Sequence, residues 1–465
     1  MQTLPLVTHN SLDKIIAWNK DTAISVEKFL ADVHYLAALL PSGKHMLNLC
    51  RDRYHFTVGL AAAIISNKVS LLPPTHTAEM VQQLQAFSAD LFCLHDHENC
   101  VIALPQLSYP TMPEPHAARI SVPEIDVQQL IAIVFTSGST GIPVPHSKNW
   151  GSLVRNVQAQ AERLGLSENS LPENQLSKNI GYSIVGTIPP QHMYGFESTV
   201  LLPLQSGNAL CSAQPFYPAD IHSVLEAIPA PRILVSTPLH MRLLLDAELK
   251  MPALAMVLSA TAPLSTPLAH KIEASLNATL IEIYGSTETG QIATRRTTQT
   301  EKWQLFPDVR LTQRGKHTWA EGGHVEPPVP LSDMIEPADS TYFLLHGRTQ
   351  DLINIAGKRN SLDSLNHHLN SIEGVIDGAF FMPDEVSHDH VTRLIACVVA
   401  PSLTASALLA ALRLRIDPVF LPRPLLFVES LPRNSTGKLP RVALQKLIAS
   451  HMQQDLNSIV LSRIV

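Results

Sequence analysis

The fold is decided at Ile131-Ala132-Ile133-Val134-Phe135-Thr136-Ser137-Gly138-Ser139-Thr140-Gly141, where a continuous apolar run passes directly into small and hydroxyl-bearing residues. The apolar run predicts a strand that is buried on both faces. The residues after it can wrap polyphosphate oxygens with backbone N–H groups. Taken alone, such a loop is more often a solvated turn, because Ser, Thr and Gly dominate turns in general.

Short apolar runs recur on both sides of this loop. A buried helix followed by a strand is predicted from Phe56 to Leu72, and further strands are predicted at Arg232–Ser236, Met256–Ser259 and Leu280–Tyr284. Amphipathic stretches with helical spacing lie between the later strands, and the Pro-rich stretch Leu104–Pro123 is expected to be a connector. Strands that alternate with helices predict an α/β fold, in which ligands bind beyond the carboxyl ends of the strands.

A polar, turn-like break at Gly347–Asp351 follows a predicted strand at Thr341–His346. The chain after the break includes a predicted helix at Ser361–Ser371 and is long enough for a small α+β domain. We therefore predict a large N-terminal multi-layer α/β domain, residues 1–346, and a small mobile α+β domain, residues 347–465.

The composition is that of an ordinary globular protein, with 45% hydrophobic and 16% charged residues in a chain of 465. A net charge of −6 and an aromatic content of 5% argue against nucleic acid as a partner. Five scattered cysteines favour a reducing, cytoplasmic setting over a disulfide framework. We expect no signal peptide in Met1–Asn10 and no stable membrane insertion.

Two further motifs supply what phosphate chemistry requires beside the first loop. Tyr284-Gly285-Ser286-Thr287-Glu288 offers a hydroxyl and a carboxylate, which suit a phosphate oxygen and its metal ion. Pro432-Arg433-Asn434-Ser435-Thr436-Gly437-Lys438 places a lysine on a Gly-containing loop far down the chain. A loop, a metal carboxylate and a mobile cation together fit reactions at phosphate anhydrides.

Other phosphate and metal motifs are not satisfied. A P-loop requires a glycine five residues before Gly437, where the chain has Pro432, and no Gly-x-Gly-x-x-Gly follows a predicted strand. The run His95-Asp96-His97-Glu98 has metal-ligand residue types, but residues so tightly spaced cannot all converge on one ion. We expect a solvated turn there, and a loop at His388-Asp389-His390 for the same reason.

In order and spacing, the three motifs resemble those of the adenylate-forming superfamily, which contains acyl-CoA synthetases, aryl-CoA ligases, peptide-synthetase adenylation domains and luciferases. The resemblance extends from about Val134 to Arg441. It implies an enzyme that uses ATP and Mg²⁺ to convert a carboxylic acid into acyl-AMP and pyrophosphate. It also implies that the acyl group then passes to a pantetheine thiol, after a rotation of the C-terminal domain.

The resemblance implies a role for each matching residue. Lys438 would bridge the substrate carboxylate and the α-phosphate, Thr287 would hydrogen-bond the α-phosphate, and Glu288 would ligate Mg²⁺, which prefers carboxylate oxygens. His192, in the segment Pro189–Gly195, would line the acyl pocket. The other contacts to ATP or AMP would come from Thr136, Ser137, Gly138, Ser139, Thr140, Gly141, Ser259, Ala260, Thr261, Tyr284, Gly285, Asp333 and Arg348.

The chain departs from the family pattern at two positions. Val144 stands where the family usually has a lysine, so pyrophosphate contacts would rest on hydroxyls and backbone N–H groups. His146 or Lys148 would substitute for that lysine, or both would be exposed loop residues. Gln350 stands at the hinge, usually aspartate or lysine, and Ala356-Gly357 matches the segment that lines the thiol channel.

The compact region before Phe135 resembles the AMP-ligases of bacterial aryl polyene and xanthomonadin-type pathways, through Leu47–Tyr54 and Val69–Pro74. This implies an aromatic acid, for example a hydroxybenzoate, and an acyl carrier protein or CoA as the acceptor. Lys358 and Arg359 flank the thiol channel and would help to dock a carrier protein. The alternatives are a fatty acyl-AMP or acyl-CoA ligase, and a non-catalytic adenylate-binding relative, against which the retained metal carboxylate and mobile lysine argue.

Overall fold

The computed structural model describes residues 2–113, 120–137, 143–166, 181–315, 317–348, 352–355, 358–383, 393–434 and 437–461. The part up to residue 166 is built on a six-stranded sheet. Its elements are β1 (Thr3–Pro5), β2 (Ile15–Asn19), β3 (Thr22–Ser25), α1 (Val26–Leu39), β4 (His45–Asn48), α2 (Arg53–Ile65), β5 (Val69–Leu72), α3 (Ala78–Phe87), β6 (Leu91–His95), β7 (Gln106–Ser108), β8 (Glu124–Asp126), β9 (Leu130–Ser137), β10 (Pro143–Asn149) and α4 (Trp150–Leu164).

The strands of the first sheet lie in the order β10-β9-β5-β4-β6-β7, and β10 is antiparallel to β9 while the others run parallel. The strand predicted at Ile131–Phe135 is confirmed as β9, and the helix and strand predicted from Phe56 to Leu72 are confirmed as α2 and β5. The expected connector Leu104–Pro123 was wrong in part, because Gln106–Ser108 pairs with β6 and extends the sheet.

The solvated turn expected at His95–Glu98 was also wrong in part. His95 ends β6 and is 7% exposed, and the side chain of Asp96 is 7% exposed as well. Asp96 accepts hydrogen bonds from the backbone N–H groups of Arg51 and Asp52 at 2.8 and 2.9 Å. The carboxylate therefore holds the end of β4 against the end of β6. The other expected loop, His388–His390, lies outside the described residues.

The middle part, residues 181–348, adds most of an eleven-stranded sheet and a three-stranded sheet. Its elements are β11 (Ser183–Gly186), α5 (Met193–Gly195), a π-helical turn (Phe196–Leu201), α6 (Leu202–Leu204), β12 (Ala209–Cys211), α7 (Pro218–Ala227), β13 (Arg232–Ser236), α8 (Pro238–Asp246), β14 (Met256–Ser259), α9 (Thr266–Leu276), β15 (Thr279–Ser286), β16 (Gly290–Arg295), β17 (Trp303–Leu305), β18 (Arg310–Arg314), β19 (His317–Gly322), β20 (Val325–Pro330), β21 (Asp333–Pro337) and β22 (Tyr342–Arg348).

The larger sheet has the order β21-β22-β17-β16-β15-β14-β13-β11-β12-β2-β3, with a parallel centre from β15 to β2. The predicted strands β13, β14 and β15 are confirmed. One hydrophobic core joins this sheet to the first: it contains Val134 of β9, Val235 of β13 and the helical residues Phe56 and Trp150. Helices packed in this core therefore fix the two sheets relative to each other.

The remaining elements are β23 (Leu352–Ile355), β24 (Lys358–Ser361), α10 (Leu362–Asn370), β25 (Asp377–Phe381), β26 (Ile395–Val399), α11 (Ala405–Arg413), a 3-10 turn (Pro418–Phe420), β27 (Leu425–Phe427) and α12 (Arg441–Leu461). The helix predicted at Ser361–Ser371 is confirmed as α10. Two hydrophobic clusters of the described residues consist wholly of chain after residue 352, with Leu365, Phe380 and Leu408 among their members. Division into domains at residue 347 stays a prediction.

Within the described ranges, no helix is both long enough and apolar enough to cross a membrane.

Candidate active site

The parallel strands of the larger sheet bring several predicted residues to one edge. Ser259 of β14 pairs with Ser236 of β13 and with Glu282 of β15. The loops that follow these strands therefore leave the sheet together, as expected for the ligand edge of an α/β fold. With the loop after β11, they carry His192, Ala260, Thr261, Thr287 and Glu288.

His146 connects the first motif to the second. Its Nε2 lies 2.9 Å from Oγ1 of Thr136 on the neighbouring strand and 3.6 Å from Oε1 of Glu288. Burial lowers the pKa of His146, Glu288 opposes this effect, and Lys148 adds to it. His146 lies on β10 with its side chain 17% exposed, so the alternative of an exposed loop residue was wrong.

The carboxylate of Glu288 is suited to a hard cation. Burial opposes its ionisation, but hydrogen bonds from its own N–H and from Ser286, with the charges of His146 and Lys148, lower its pKa. Its side chain is 44% exposed, so an ion can reach it. Among the described residues, no group of three His, Cys, Asp or Glu could hold a metal. Mg²⁺ commonly takes most of its ligands from phosphate and water, which fits a single carboxylate such as Glu288.

Lys148 lies beneath Glu288 rather than on an exposed loop, so that alternative was wrong for Lys148 too. It is 8% exposed, and its Nζ donates to the backbone carbonyl of Glu288 at 3.3 Å. Burial lowers the pKa of Lys148, against the opposing charges of Glu197 and Glu288. Residues two apart on a strand share a face, which explains why His146 and Lys148 both approach Glu288.

Glu197 is a buried acid that the sequence analysis missed. It is 1% exposed, and burial raises its pKa to about 8, against the charge of Lys148 and hydrogen bonds from Gln291. The available signal was a single charged residue in the otherwise uncharged stretch Met193–Leu204. A buried acid beside a buried lysine is costly unless each compensates the other, so the two side chains are best understood as a pair.

A polar cavity of about 130 Å³ opens between this pair and the second motif. It is lined by Lys148, Glu197, Glu288 and His324, among others. Within the described part of the chain, Oε1 of Glu197 and Nε2 of His324 have no hydrogen-bond partner, and both are buried. The cavity therefore has the polarity and room to hold ordered water.

The residues expected at the nucleoside are joined by a direct contact. Tyr284 Oη donates to Oδ2 of Asp333 at 2.6 Å, and Asp333 lies opposite Arg348 in the register of β21 and β22. Ser259 is buried at the end of β14, and Thr261 has a φ of 78°. The structure thus brings the predicted ribose carboxylate beside the second motif, while its contact with ribose stays a prediction.

The loop carrying Lys438 packs against the N-terminal end of α8. A methyl group on Gly437, whose φ is 79°, would lie 3.7 Å from Cβ of Leu239 and from Oγ1 of Thr237. Lys438 itself is exposed, and its backbone N–H donates to Oδ1 of Asn434 at 2.9 Å.

Burial, together with the charges of Lys438 and His76, lowers the pKa of His192 to about 4. Lys438 and His192, far apart in sequence, are therefore close enough to interact. His76, in the loop after β5, was missed because a lone loop histidine carries no sequence signal.

Several predicted site residues lie outside the described residues: Gly138, Ser139, Thr140, Gly141, Gln350, Ala356 and Gly357. Of Ser137, Arg348, Lys358 and Arg359, only the strand backbone is described. Their roles stay predictions.

Residues 35–330 match the model of the AMP-binding enzyme family. A 4-coumarate–CoA ligase of Halorhodospira halophila is 29% identical over 316 residues, which cover 65% of this chain and 73% of that protein. ATP-bound MatB from Rhodopseudomonas palustris has a TM-score of 0.77 at 17% identity, over 95% of this chain and 97% of MatB. The o-succinylbenzoate CoA synthetase MenE from Bacillus subtilis, with its acyl-adenylate intermediate, has a TM-score of 0.75 at 16% identity, over 93% and 95%. The adenylate-forming resemblance of the motifs is confirmed, and the chain belongs to the AMP-binding enzyme family.

Proposed function

We propose that this AMP-forming acid–thiol ligase activates an aromatic carboxylic acid, such as a hydroxybenzoate, and transfers it to the pantetheine thiol of an acyl carrier protein. Family membership supports activation of an acid to acyl-AMP followed by thioester formation. The observation that carries the proposal is the joint placement of the second motif and the acyl-pocket segment. Met193, next to His192, lines the same cavity as Glu288, and His192 interacts with Lys438.

In the first step, a carboxylate oxygen of the acid attacks the α-phosphorus of ATP, and the bond from that phosphorus to the oxygen bridging to the β-phosphate breaks. Lys438 neutralises charge that builds between carboxylate and phosphate, and Thr287 donates to the α-phosphate. Glu288 would hold Mg²⁺, which would supply positive charge to stabilise the departing pyrophosphate. His192 is neutral at pH 7, because its pKa is about 4, so it can orient the acid without competing with Lys438.

In the second step, the thiol attacks the acyl carbonyl carbon, the carbon–oxygen bond to AMP breaks, and the thiol proton is lost to solvent. The products are the thioester and AMP. We place this step after a rotation of residues 347–465 against residues 1–346, which would bring Ala356 and Gly357 to the site in place of Lys438.

CoA is the second candidate acceptor. The name of the 4-coumarate–CoA ligase relative favours both an aromatic acid and CoA. The carrier protein is favoured by the adjacent charges of Lys358 and Arg359, which suit the acidic helices of a carrier. A fatty acid remains the alternative substrate.

The test is ATP–pyrophosphate exchange with a panel of hydroxybenzoates, cinnamates and fatty acids, followed by transfer to CoA and to carrier protein. We expect exchange with aromatic acids and faster transfer to the carrier. Lys358→Glu with Arg359→Glu should slow carrier loading in a salt-dependent way and leave exchange intact. Exchange with fatty acids alone would reject the aromatic substrate, and much faster transfer to CoA would reject the carrier. No exchange with any acid would reject the activity.

A further inference from the structure

An arginine–aspartate pair supports the loop that carries Lys438. Arg433 donates from Nε to Oδ2 of Asp377 at 2.7 Å and from Nη2 to Oδ1 at 2.8 Å, which is a bidentate contact. The same guanidinium donates from Nη1 to the carbonyl of Gly437 at 3.0 Å. Bidentate arginine–carboxylate pairs fix orientation as well as distance. The position of the Gly437–Lys438 peptide is therefore tied to Asp377.

Asp377 is tied in turn to α8. Arg242, on that helix, places Nη1 3.8 Å from Oδ1 of Asp377 and donates to the carbonyl of Ile376. The side chains of Arg242 and Asp377 are 21% and 13% exposed, so water screens their attraction only in part. The N-terminal end of α8 also packs on Gly437. One helix thus contacts the Lys438 loop directly at Gly437 and indirectly through Asp377 and Arg433.

We propose that Arg242 is a positioning residue, and that its contact with Asp377, which in turn holds Arg433, is a latch that keeps Lys438 at the site for adenylate formation and opens before thioester formation. This inference rests on the proposed two-step function. Each member of the latch has a distinct position: Arg242 lies on α8, Asp377 begins β25, and Arg433 lies near the start of the Lys438 loop. Rotation of the C-terminal segment would separate Arg242 from Asp377 and leave the Asp377–Arg433 contact intact. The latch therefore biases the equilibrium between the two arrangements without contacting a substrate.

The test compares the two half-reactions in Arg242→Met, which keeps the aliphatic stem and removes the charge. ATP–pyrophosphate exchange should fall about fivefold, the effect of losing one partly exposed ion pair. Thioester formation from supplied acyl-AMP should be unchanged or faster. Arg242→Lys should lie between wild type and Arg242→Met. Arg232→Met is the matched control, because Arg232 is also a half-buried arginine that donates to carbonyls, those of Ile228 and Ala253, and it should change neither rate.

Amide hydrogen exchange gives a readout independent of activity. In Arg242→Met, a peptide covering residues 432–441 should exchange faster than in wild type, because the loop has lost an anchor. Unchanged exchange in that peptide, or an equal loss of both half-reactions, would overturn the latch. If the wild type activates no acid at all, the proposed function fails, and the hydrogen exchange of the peptide still decides whether Arg242 anchors the loop.

Discussion

At the scale of single residues, Lys148 and Glu197 place a base and an acid where water scarcely reaches, 8% and 1% exposed. Removing a charge from water costs several kcal/mol, so burial raises the pKa of Glu197 and lowers that of Lys148. Since Lys148 also donates to the carbonyl of Glu288, the pair supports the turn that presents the predicted metal ligand. We interpret this arrangement as compensating for the absence of the family's usual lysine at position 144.

Glu197 makes the stability of the protein depend on pH. Its pKa is about 8 in the folded chain, whereas an unfolded glutamate titrates near pH 4.3. Between these values the folded state holds one more proton than the unfolded state, so the contribution of Glu197 to the free energy of unfolding falls as pH rises. Between pH 5 and pH 8, the free energy of unfolding of Glu197→Gln should therefore rise by at least about 1 kcal/mol relative to that of wild type. Urea unfolding at both pH values measures this, and parallel profiles would contradict it.

Glu288→Gln tests the predicted metal ligand. An amide is a poorer ligand than a carboxylate for a hard cation, so the variant should require more Mg²⁺ for half-maximal pyrophosphate exchange and exchange more slowly. Glu226→Gln is the control, because the side chain of Glu226 is 72% exposed on α7. If both variants show the same Mg²⁺ dependence as wild type, Glu288 serves only to shape the turn.

At the scale of elements, the junction of β15 and β16 leaves no room for side chains at its glycines. Gly290 begins β16 with a φ of 70°, and a Cβ there would lie 2.8 Å from Oε1 of Glu197 and 2.9 Å from Nδ2 of Asn156. Gly285, across the hairpin, would place a Cβ 2.3 Å from the carbonyl of Gly290. The hairpin that follows the second motif is therefore packed closely against the buried Glu197 and Asn156.

Gly290→Ala should lower the free energy of unfolding markedly more than an equivalent substitution at a glycine with free space around it. Gly165→Ala is the matched control, since Gly165 has a φ of 65° and nothing within 4 Å of its Cβ position. Both variants incur the left-handed strain, about 1 kcal/mol, and only Gly290→Ala adds an overlap worth about 1–3 kcal/mol. The free energies of unfolding of the two variants give the comparison. Equal losses would mean that Glu197 and Asn156 move aside freely.

The elements differ in how far sequence predicts them. The strands β9, β13, β14 and β15 were predictable, because strands buried on both faces have continuous apolar runs. The strand β10 was not, because Pro143–Asn149 is mostly polar and contains two prolines, although it pairs with β9 along its whole length. The burial of Lys148 depends on Glu197, which lies far along the chain on another element. Contacts of this kind decide the site, and no local pattern encodes them.

At the scale of the whole molecule, the proposed reaction draws its groups from widely separated parts of the chain. Thr136 and His146 belong to the six-stranded sheet, Glu288 follows a strand of the eleven-stranded sheet, and Lys438 lies in the C-terminal segment. The motif residues were found from the sequence because their spacing is specific. The contacts that bring these groups together, those of His146 and of Asp377, could be found only from the folded structure.

Lys438→Ala should separate the two half-reactions. In the proposed mechanism the lysine neutralises charge only while the α-phosphorus is attacked, so pyrophosphate exchange should fall at least about 100-fold, as for loss of one group that stabilises a transition state. Thioester formation from supplied acyl-AMP should persist, and Lys446→Ala, on α12, should affect neither rate. An equal decline in both steps would exclude this role for Lys438.

The contact of His146 with Glu288 crosses from one sheet to the other, and it gives the enzyme a characteristic response to heat. A temperature that loosens the boundary between the sheets would separate His146 from the carboxylate of Glu288, the predicted metal ligand, while both sheets remain folded. Catalysis should then fail reversibly several degrees below the melting of the secondary structure, as a comparison of activity and circular dichroism during heating would show. Coincident loss of both would mean that the boundary and the sheets melt as one. Ligands that span the boundary, such as ATP, should raise the temperature of inactivation more than that of melting.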